Sequence, residues 1–179
     1  MSSILKVSTL KDPTNSNTAL QIDASGRVTT PARPAFLVHR GGSAATLTEG
    51  GDHQIFPFNT VAFDIGGNYN TTNFNYVCPV DGVYFFALNA RIDGAAAGNY
   101  IRGLIYKGSD AATQTAPYGQ VGNVLHAITG SHSASYHTMV CSGVLLCSSG
   151  DIVTVMGGHQ TDTSITLQAE SQFSGYLVG

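Results

Sequence analysis

The chain has 179 residues, which suits one domain of about 150 residues and a short appendage. Only 11% of the residues are charged, and Ser, Thr, Asn and 21 Gly residues supply much of the polar surface, a composition that favours β-strands and tight turns over long exposed helices. The net charge of -3 and the eight scattered Lys and Arg residues give no electrostatic reason to bind nucleic acid or an anionic membrane. An all-β protein is predicted.

The first residues begin no secretion signal, because neither a charged start nor a sufficiently long apolar run follows Met1. The longest apolar stretches, such as residues 83–88, are strand-sized and far shorter than the ~20 residues of a membrane-spanning helix. We therefore expect a chain that is made in a cytoplasm, is not secreted by the usual route and does not insert into a membrane.

Three cysteines, Cys78, Cys141 and Cys147, do not make a disulfide framework. If Cys141 and Cys147 lie on one continuous strand, steps of about 3.3 Å per residue separate them by roughly 20 Å, which excludes a bridge between them. We expect buried thiols that fill small gaps in the core, which favours folding in a reducing cytosol.

Residues 1–33 differ from the remainder of the chain. Two short β-like runs, residues 4–10 and 19–22, are separated by a segment rich in turn formers and followed by an Asp-Ala-Ser-Gly turn. Such short strands are marginal in water unless they dock on something. A frayed terminus is the alternative, but the apolar residues are too many for a mere tail: Ile4, Val7, Leu10, Leu20, Ile22 and Val28. We interpret residues 1–33 as an attachment arm.

Residues 30–34, Thr-Pro-Ala-Arg-Pro, form a hinge because their two prolines impose extended geometry. From residue 34 onward β-like runs alternate with turn signals, and the predicted strands are 35–39, 56–63, 74–77, 83–92, 100–107, 137–147, 151–156 and 164–177. Residues 83–92 carry apolar side chains at every even position, so that face is predicted to lie in the core. Strands of this number and spacing predict a sandwich or jelly roll.

Several sequence blocks recur in the order and spacing of a known family. They are Pro34-Ala-Phe36, Phe58-Asn59, Gly67-Asn-Tyr69, Cys78-Pro-Val-Asp-Gly82-Val-Tyr84, Ser149-Gly150-Asp151 and Phe173-Ser-Gly-Tyr-Leu177. Together they resemble the globular head of complement C1q, in the C1q and tumour-necrosis-factor superfamily, over residues 34–179. The resemblance implies a ten-stranded jelly-roll β-sandwich that assembles as a tight homotrimer. Asn73 departs from the pattern, since the family usually has Gly there, and the residues that calcium-binding members use have no counterpart that can be placed.

The N-terminal arm resembles a different group. Residues 5–13, Leu-Lys-Val-Ser-Thr-Leu-Lys-Asp-Pro, and residues 19–28 are similar to leader segments of phage fibre and virion accessory proteins. In those proteins short strands bind the chain to the particle and a trimeric head projects outward. The resemblance implies that other virion proteins are partners of residues 1–33.

No motif in the chain specifies a catalytic or metal site. His132 and His137 lie five residues apart without a Cys or carboxylate at ligand spacing, and no Gly-x-Ser-x-Gly elbow is present. We predict no catalytic residues, no metal ligands and no cofactor.

The aromatic residues Tyr84, Phe86, Phe173 and Tyr176 are predicted to lie in the core or at the trimer interface, because they occur on strands of the C1q-like blocks. Ligand contacts, if the head makes them, are expected from loops 41–54, 93–99 and 108–136, since loops on a rigid frame carry most binding residues. The residues that would bind a ligand are not specified by the sequence.

The leading hypothesis is a virion structural protein made in a host cytoplasm, with a trimeric head on residues 34–179 and a docking arm on residues 1–33. Its role would be fibre or decoration, with adhesion to a host-surface glycan or protein as a further role. Two alternatives stay open at this point. One is a free C1q-like recognition module of a bacterium or animal, and the other is an enzyme acting on polysaccharide.

Overall fold

The computed structural model describes residues 6–48, 54–108, 123–130, 136–160 and 164–179. The chain divides into two compact units, Met1–Pro34 and Ala35–Gly179. This division lies one residue from the boundary expected from the sequence. Among the described residues, no helix is both long and apolar enough to cross a membrane.

The N-terminal unit is a three-stranded antiparallel sheet in which neighbouring strands follow each other in the chain. Its strands are β1 (Thr9–Lys11), β2 (Thr18–Ile22) and β3 (Val28–Thr29). The Asp12 carboxylate closes the first turn by accepting two backbone N–H bonds, at 2.7 and 2.8 Å. Asp23 closes the second turn, and the backbone N–H and guanidinium of Arg27 lower the pKa of its carboxyl.

The second unit, which we call the head, contains thirteen strands in its described part. They are β4 (Ala35–His39), β5 (Ala45–Leu47), β6 (Gln54–Ile55), β7 (Thr60–Ile65), β8 (Tyr69–Asn70), β9 (Asn75–Val77), β10 (Gly82–Asp93), β11 (Tyr100–Gly108), β12 (Val124–Gly130), β13 (Tyr136–Cys147), β14 (Ile152–His159), β15 (Ile165–Leu167) and β16 (Gln172–Leu177). The prediction of an all-β jelly-roll sandwich is confirmed. The strand count exceeds ten because several two- and three-residue segments pair separately.

The strands of the head form two sheets, and all of their pairings are antiparallel. The front sheet has the order β5-β15-β10-β16-β4-β7, with β13 paired along the opposite side of β10. The back sheet has the order β12-β11-β14-β9-β8, with β6 beside β14. The final strand, β16, is therefore internal to the front sheet, between β10 and β4.

Strand β10 pairs with three strands of the front sheet and contributes a row of side chains to the core. All of its residues pair with β13, from Gly82 opposite Cys147 to Asp93 opposite Tyr136. Its even-numbered side chains are completely buried, in agreement with the alternation in the sequence: Tyr84, Phe86, Leu88, Ala90 and Ile92. Its odd-numbered side chains point away from the core, because successive residues of a strand face opposite sides of the sheet.

The centre of the core is a cluster of aromatic rings from both sheets. Phe36 of β4 stacks on Tyr76 of β9 with ring centroids 4.2 Å apart and meets Phe173 edge-on at 5.0 Å. Phe86 stacks on Phe173 at 6.0 Å. Such pairs contribute about 0.5–1.5 kcal/mol each beyond their buried area, so this cluster joins the two sheets.

Several segments differ from the strands expected from the sequence. Residues 56–63 were expected to form one strand, but the strand there begins at Thr60 and continues to Ile65. Residues 164–177 form two strands instead of one, because a turn intervenes in which Ser171 N–H donates to the Gln168 carbonyl oxygen at 3.1 Å. The turn before β9, where Asn73 departs from the family pattern, places Phe74 at φ +56°. A bulky residue with positive φ is an outlier, so the unusual backbone lies one residue after the substituted position.

Substitution Gly175→Ala should destabilise the head by about 2 kcal/mol, because the added methyl would lie 2.5 Å from one carbon of Phe86 and 2.9 Å from one of Phe36. The melting temperature should fall by roughly 4–8 °C in a thermal unfolding experiment followed by circular dichroism. The matched control is Gly130→Ala, another strand glycine, where no atom lies within 4 Å. Equal melting temperatures for the two variants would contradict this description of the core.

Candidate functional site

In the part of the chain that the structure describes, no group of three or more His, Cys, Asp or Glu side chains is placed so that it could hold a metal ion. His132 lies outside the described residues, and His137 is 5% exposed on β13. Loops 41–54 and 108–136 are described only in part, since residues 49–53, 109–122 and 131–135 lie outside the described residues. The features that stand out on the described surface are two apolar sheet faces, one on each unit.

The four predicted aromatic residues separate into two groups. Tyr84, Phe86 and Phe173 are 0% exposed and belong to the core, where the Tyr84 hydroxyl donates to the Val80 carbonyl oxygen at 3.0 Å. Tyr176 is 46% exposed and lies on the outer face of the front sheet. Its ring contacts that of Phe85, with centroids 5.4 Å apart. Only Tyr176 of the four is therefore available to a partner.

The register of the front sheet places Tyr176 in a row of five apolar residues, one from each of five neighbouring strands. We call these residues the apolar row: Val144, Phe85, Tyr176, Ala35 and Ile65. Val144 is 58% exposed and Ile65 is 40% exposed. A continuous apolar stripe across a sheet is unusual on a monomer and indicates an interaction surface.

Apolar residues extend on both sides of this row. Leu146, 70% exposed, lies opposite Val83 on one side, and Phe63, 48% exposed, lies opposite Leu37 on the other. Apolar residues thus extend one row further on each side, although Ser142 and Ser174 interrupt the row that contains Leu37 and Phe63.

The open edge of the sandwich carries a second set of exposed apolar residues. Leu125 of β12 packs against Gly143 of β13, 2.8 Å from the position that a Cβ would take, so the two sheet edges meet there. Ile128 on β12 is 59% exposed and Val140 on β13 is 61% exposed. The edge and the outer face differ in shape, and both are apolar.

The outer face becomes polar toward the far end of β10. Arg91 makes two hydrogen bonds with the carboxylate of Asp93, at 2.9 and 3.0 Å, and one with Glu170 at 2.5 Å. Its guanidinium also lies 4.5 Å from the ring centre of Tyr136. The hydrogen bonds that Arg91 donates to Asp93 and Glu170 raise the pKa of Arg91, and the backbone N–H of Glu170 together with Arg91 lowers the pKa of Glu170. This charged group marks the end of the apolar surface.

The sheet of the N-terminal unit also has one apolar face. The register pairs Leu10 with Leu20 and Ile22 with Val28, so all four side chains lie on the same side. Leu10 and Val28 are 57% and 62% exposed, and Ile22 is 38% exposed. Together with Val7, three of these side chains line a shallow apolar hollow of about 200 Å³. We call Leu10, Leu20, Ile22 and Val28 the arm face; Ile4 lies outside the described residues.

The opposite side of the arm sheet is polar, because Thr9, Gln21 and Thr29 pair across it. The five described residues predicted for attachment therefore include the whole arm face.

Val144, Leu146 and Phe85 belong to no motif that predicts a site from the sequence. A signal for them exists in β13, where both parities carry apolar residues: Met139, Cys141 and Leu145 face the core, while Val140, Val144 and Leu146 face outward. A strand that is apolar on both sides is typical of one covered on both sides.

Solved structures of other proteins share this architecture. The globular domain of zebrafish complement 1qA matches with a TM-score of 0.58 and 20% identity, covering 82% of this chain and 98% of that one. Murine APRIL matches with a TM-score of 0.56 and 14% identity, covering 81% and 98%. Eiger TNF from S. frugiperda matches with a TM-score of 0.55 and 12% identity, covering 82% and 94%. At these identities the likeness concerns the fold.

A search of the curated proteins finds no match. The sequence profile of the C1q domain, however, matches residues 35–178, which is nearly the whole head and most of the chain. The chain therefore belongs to the C1q domain family.

Proposed function

We propose that this protein is a non-enzymatic virion structural protein, in which a trimeric C1q-like head is anchored to a phage particle by its N-terminal arm. The observation that carries the proposal is the presence of two uncovered apolar sheet faces, the outer face of the front sheet and the arm face. Apolar surfaces of this extent favour burial against another protein, since each Å² removed from water contributes about 25 cal/mol.

The apolar row accounts for assembly of the head. Val144 lies on the edge strand β13 and is flanked by exposed Val140 and Leu146. The open edge of one copy can therefore pack on the outer face of the next copy, with Tyr176 and Phe85 in the contact. Such a contact joins two different surfaces, so it is heterologous and is satisfied in every copy only when the ring closes. The C1q resemblance implies that closure occurs at three copies.

The arm face accounts for attachment. The three strands of the arm are too short to form a core, yet they keep four apolar side chains on one side and polar side chains on the other. A partner that covers the arm face would order this sheet further. The similarity of the arm sequence to phage leader segments supports a virion protein as that partner.

An assembly of three heads suits a decoration or fibre role. Weak contacts made by several copies together can exceed a single contact by about 10² to 10⁴ in apparent affinity. Contacts with a host-surface glycan or protein would come from the loops of the head. The free recognition module is the second candidate, and the arm face is the feature that favours attachment over it.

Substitution Val144→Glu should disrupt the trimer, because assembly would bury an unpaired carboxylate at the β13 end of the apolar row. We expect association weaker by roughly 100-fold or more, seen as a shift from trimer to monomer in sedimentation velocity. Circular dichroism should show an intact head, since residue 144 points away from the core.

Thr71→Glu is the matched control for that experiment. It adds the same charge at an exposed residue of the turn before β9, away from the front-sheet face, and should leave a trimer. If Val144→Glu also remains a trimer, the apolar row is not the interface.

Substitutions Leu10→Asp and Val28→Asp, combined in one chain, should reduce the amount of this protein in purified phage particles by at least about tenfold, because charge on the arm face opposes its burial. The amount per particle can be measured by quantitative mass spectrometry. Removal of residues 1–33 should have the same effect and leave a soluble trimer.

The control for the arm experiment is Thr9→Asp with Thr29→Asp, which places the same two charges on the polar side of the same sheet. It should be incorporated normally. Normal incorporation of the Leu10 and Val28 variant would refute attachment through the arm face, while the sedimentation result for Val144→Glu would stand independently.

A further inference from the structure

Two of the three cysteines meet in the core of the head. Cys78 directly follows β9 of the back sheet, and Cys147 is the last residue of β13 in the front sheet. They are 0% and 1% exposed and belong to the same cluster of buried core residues. The third cysteine, Cys141, lies six residues before Cys147 on β13, on the same face of that strand, and is also buried.

The backbone around this contact is held firmly. The Cys78 N–H donates to the Asp151 carbonyl oxygen at 2.8 Å, and the Gly150 N–H donates to the Cys78 carbonyl oxygen at 2.8 Å. The Asp81 carboxylate accepts the Ser149 N–H at 2.7 Å, so it joins the turn before β10 to the turn after β13. Four bonds, including that from the Ser149 hydroxyl to the residue-79 carbonyl oxygen at 3.0 Å, therefore fix the segment after β9 against the turn after β13.

The environment distinguishes the two sulfur atoms. The interaction between the two thiols lowers the pKa of Cys147 and raises that of Cys78. Lys107, whose ammonium group donates to the Leu146 carbonyl oxygen at 2.7 Å, also favours the Cys147 thiolate. Burial raises the pKa of Cys141 to about 11, so that thiol is poorly reactive.

We propose that Cys78 and Cys147 are an oxidisable pair, a modification site at which a peroxide converts two buried thiols into a disulfide between the two sheets of the head. A disulfide requires Cα atoms within about 7 Å and side chains that point at each other. Two thiols buried in one core cluster, on segments that are joined by these hydrogen bonds, need little movement to satisfy this.

The chemistry balances with peroxide as the only co-reactant. The Cys147 thiolate attacks one peroxide oxygen, the O–O bond breaks, the departing hydroxide takes up the proton that the Cys147 thiol released, and Cys147 becomes a sulfenic acid. The Cys78 sulfur then attacks the Cys147 sulfur, its proton passes to the departing oxygen, the S–O bond breaks, and water leaves. The two cysteines lose two electrons in total, and the peroxide ends as two molecules of water.

The consequence is a covalent link across a loop of about 70 residues, which reduces the conformational entropy of the unfolded chain. The head would fold as a dithiol in a reducing cytoplasm and become more resistant to unfolding after exposure to oxidant.

The test treats the purified full-length protein with hydrogen peroxide, removes the excess, alkylates remaining thiols in denaturant and maps peptides by mass spectrometry without reduction. We expect one cross-linked peptide containing Cys78 and Cys147, an alkylated Cys141, and a melting temperature about 10 °C higher that returns to its original value with a reductant. Alkylation of all three cysteines, or a bridge that includes Cys141, would overturn the proposal.

Two variants sharpen the result. Cys141→Ser removes only the third thiol and should keep the cross-link and the increase in melting temperature. Cys78→Ser removes the resolving thiol, so the sulfenic acid should accumulate on Cys147 and react with dimedone, a sulfenic-acid reagent. Dimedone on Cys141 instead would count against the assignment of Cys147 as the reactive sulfur, and the peptide map of the unsubstituted chain decides the question if Cys78→Ser fails to fold.

Discussion

The pairing of β10 with its neighbours is the constraint on which the rest of the head depends. This strand is bonded to β13 along one side and to β16 and β15 along the other, so its register determines that of the whole front sheet. Its even positions fill the core from Tyr84 to Ile92, and its odd positions form the centre of the outer face. A shift of one residue would exchange these two sets and would place Arg91 in the core, which makes the register strongly specified.

The same register creates the proposed interface. Five strands contribute one residue each to the apolar row, although those residues are far apart in the sequence. In the arm, pairing of Leu10 with Leu20 and of Ile22 with Val28 produces a smaller apolar face by the same means. Family membership of the head and an uncovered face on each unit together support a protein built for assembly.

Local patterns predicted much of this architecture. The alternation in residues 83–92 indicated the core side of β10, and the Asp-Ala-Ser-Gly segment indicated the turn in which Gly26 adopts φ +78°. Contacts between distant segments were not predictable in this way. The apolar row depends on pairings such as that of Phe85 with Val144, and the proximity of Cys78 to Cys147 depends on the hydrogen bonds that join the segment after β9 to the turn after β13. The sequence excluded a bridge between Cys141 and Cys147 because both lie on one strand. It gave no indication that the cysteine near Cys147 is Cys78, which follows a strand of the other sheet.

The central claim is that a second copy of the chain covers the apolar row. Hydroxyl-radical footprinting of the intact protein, read by mass spectrometry, measures the solvent exposure of individual side chains directly. The account predicts that Val144 and Tyr176, which are 58% and 46% exposed in the single chain, are protected in the assembled protein, while the back-sheet residue Val77, 37% exposed, is modified readily. Modification of Val144 and Tyr176 at the rate expected for such exposed side chains would contradict it.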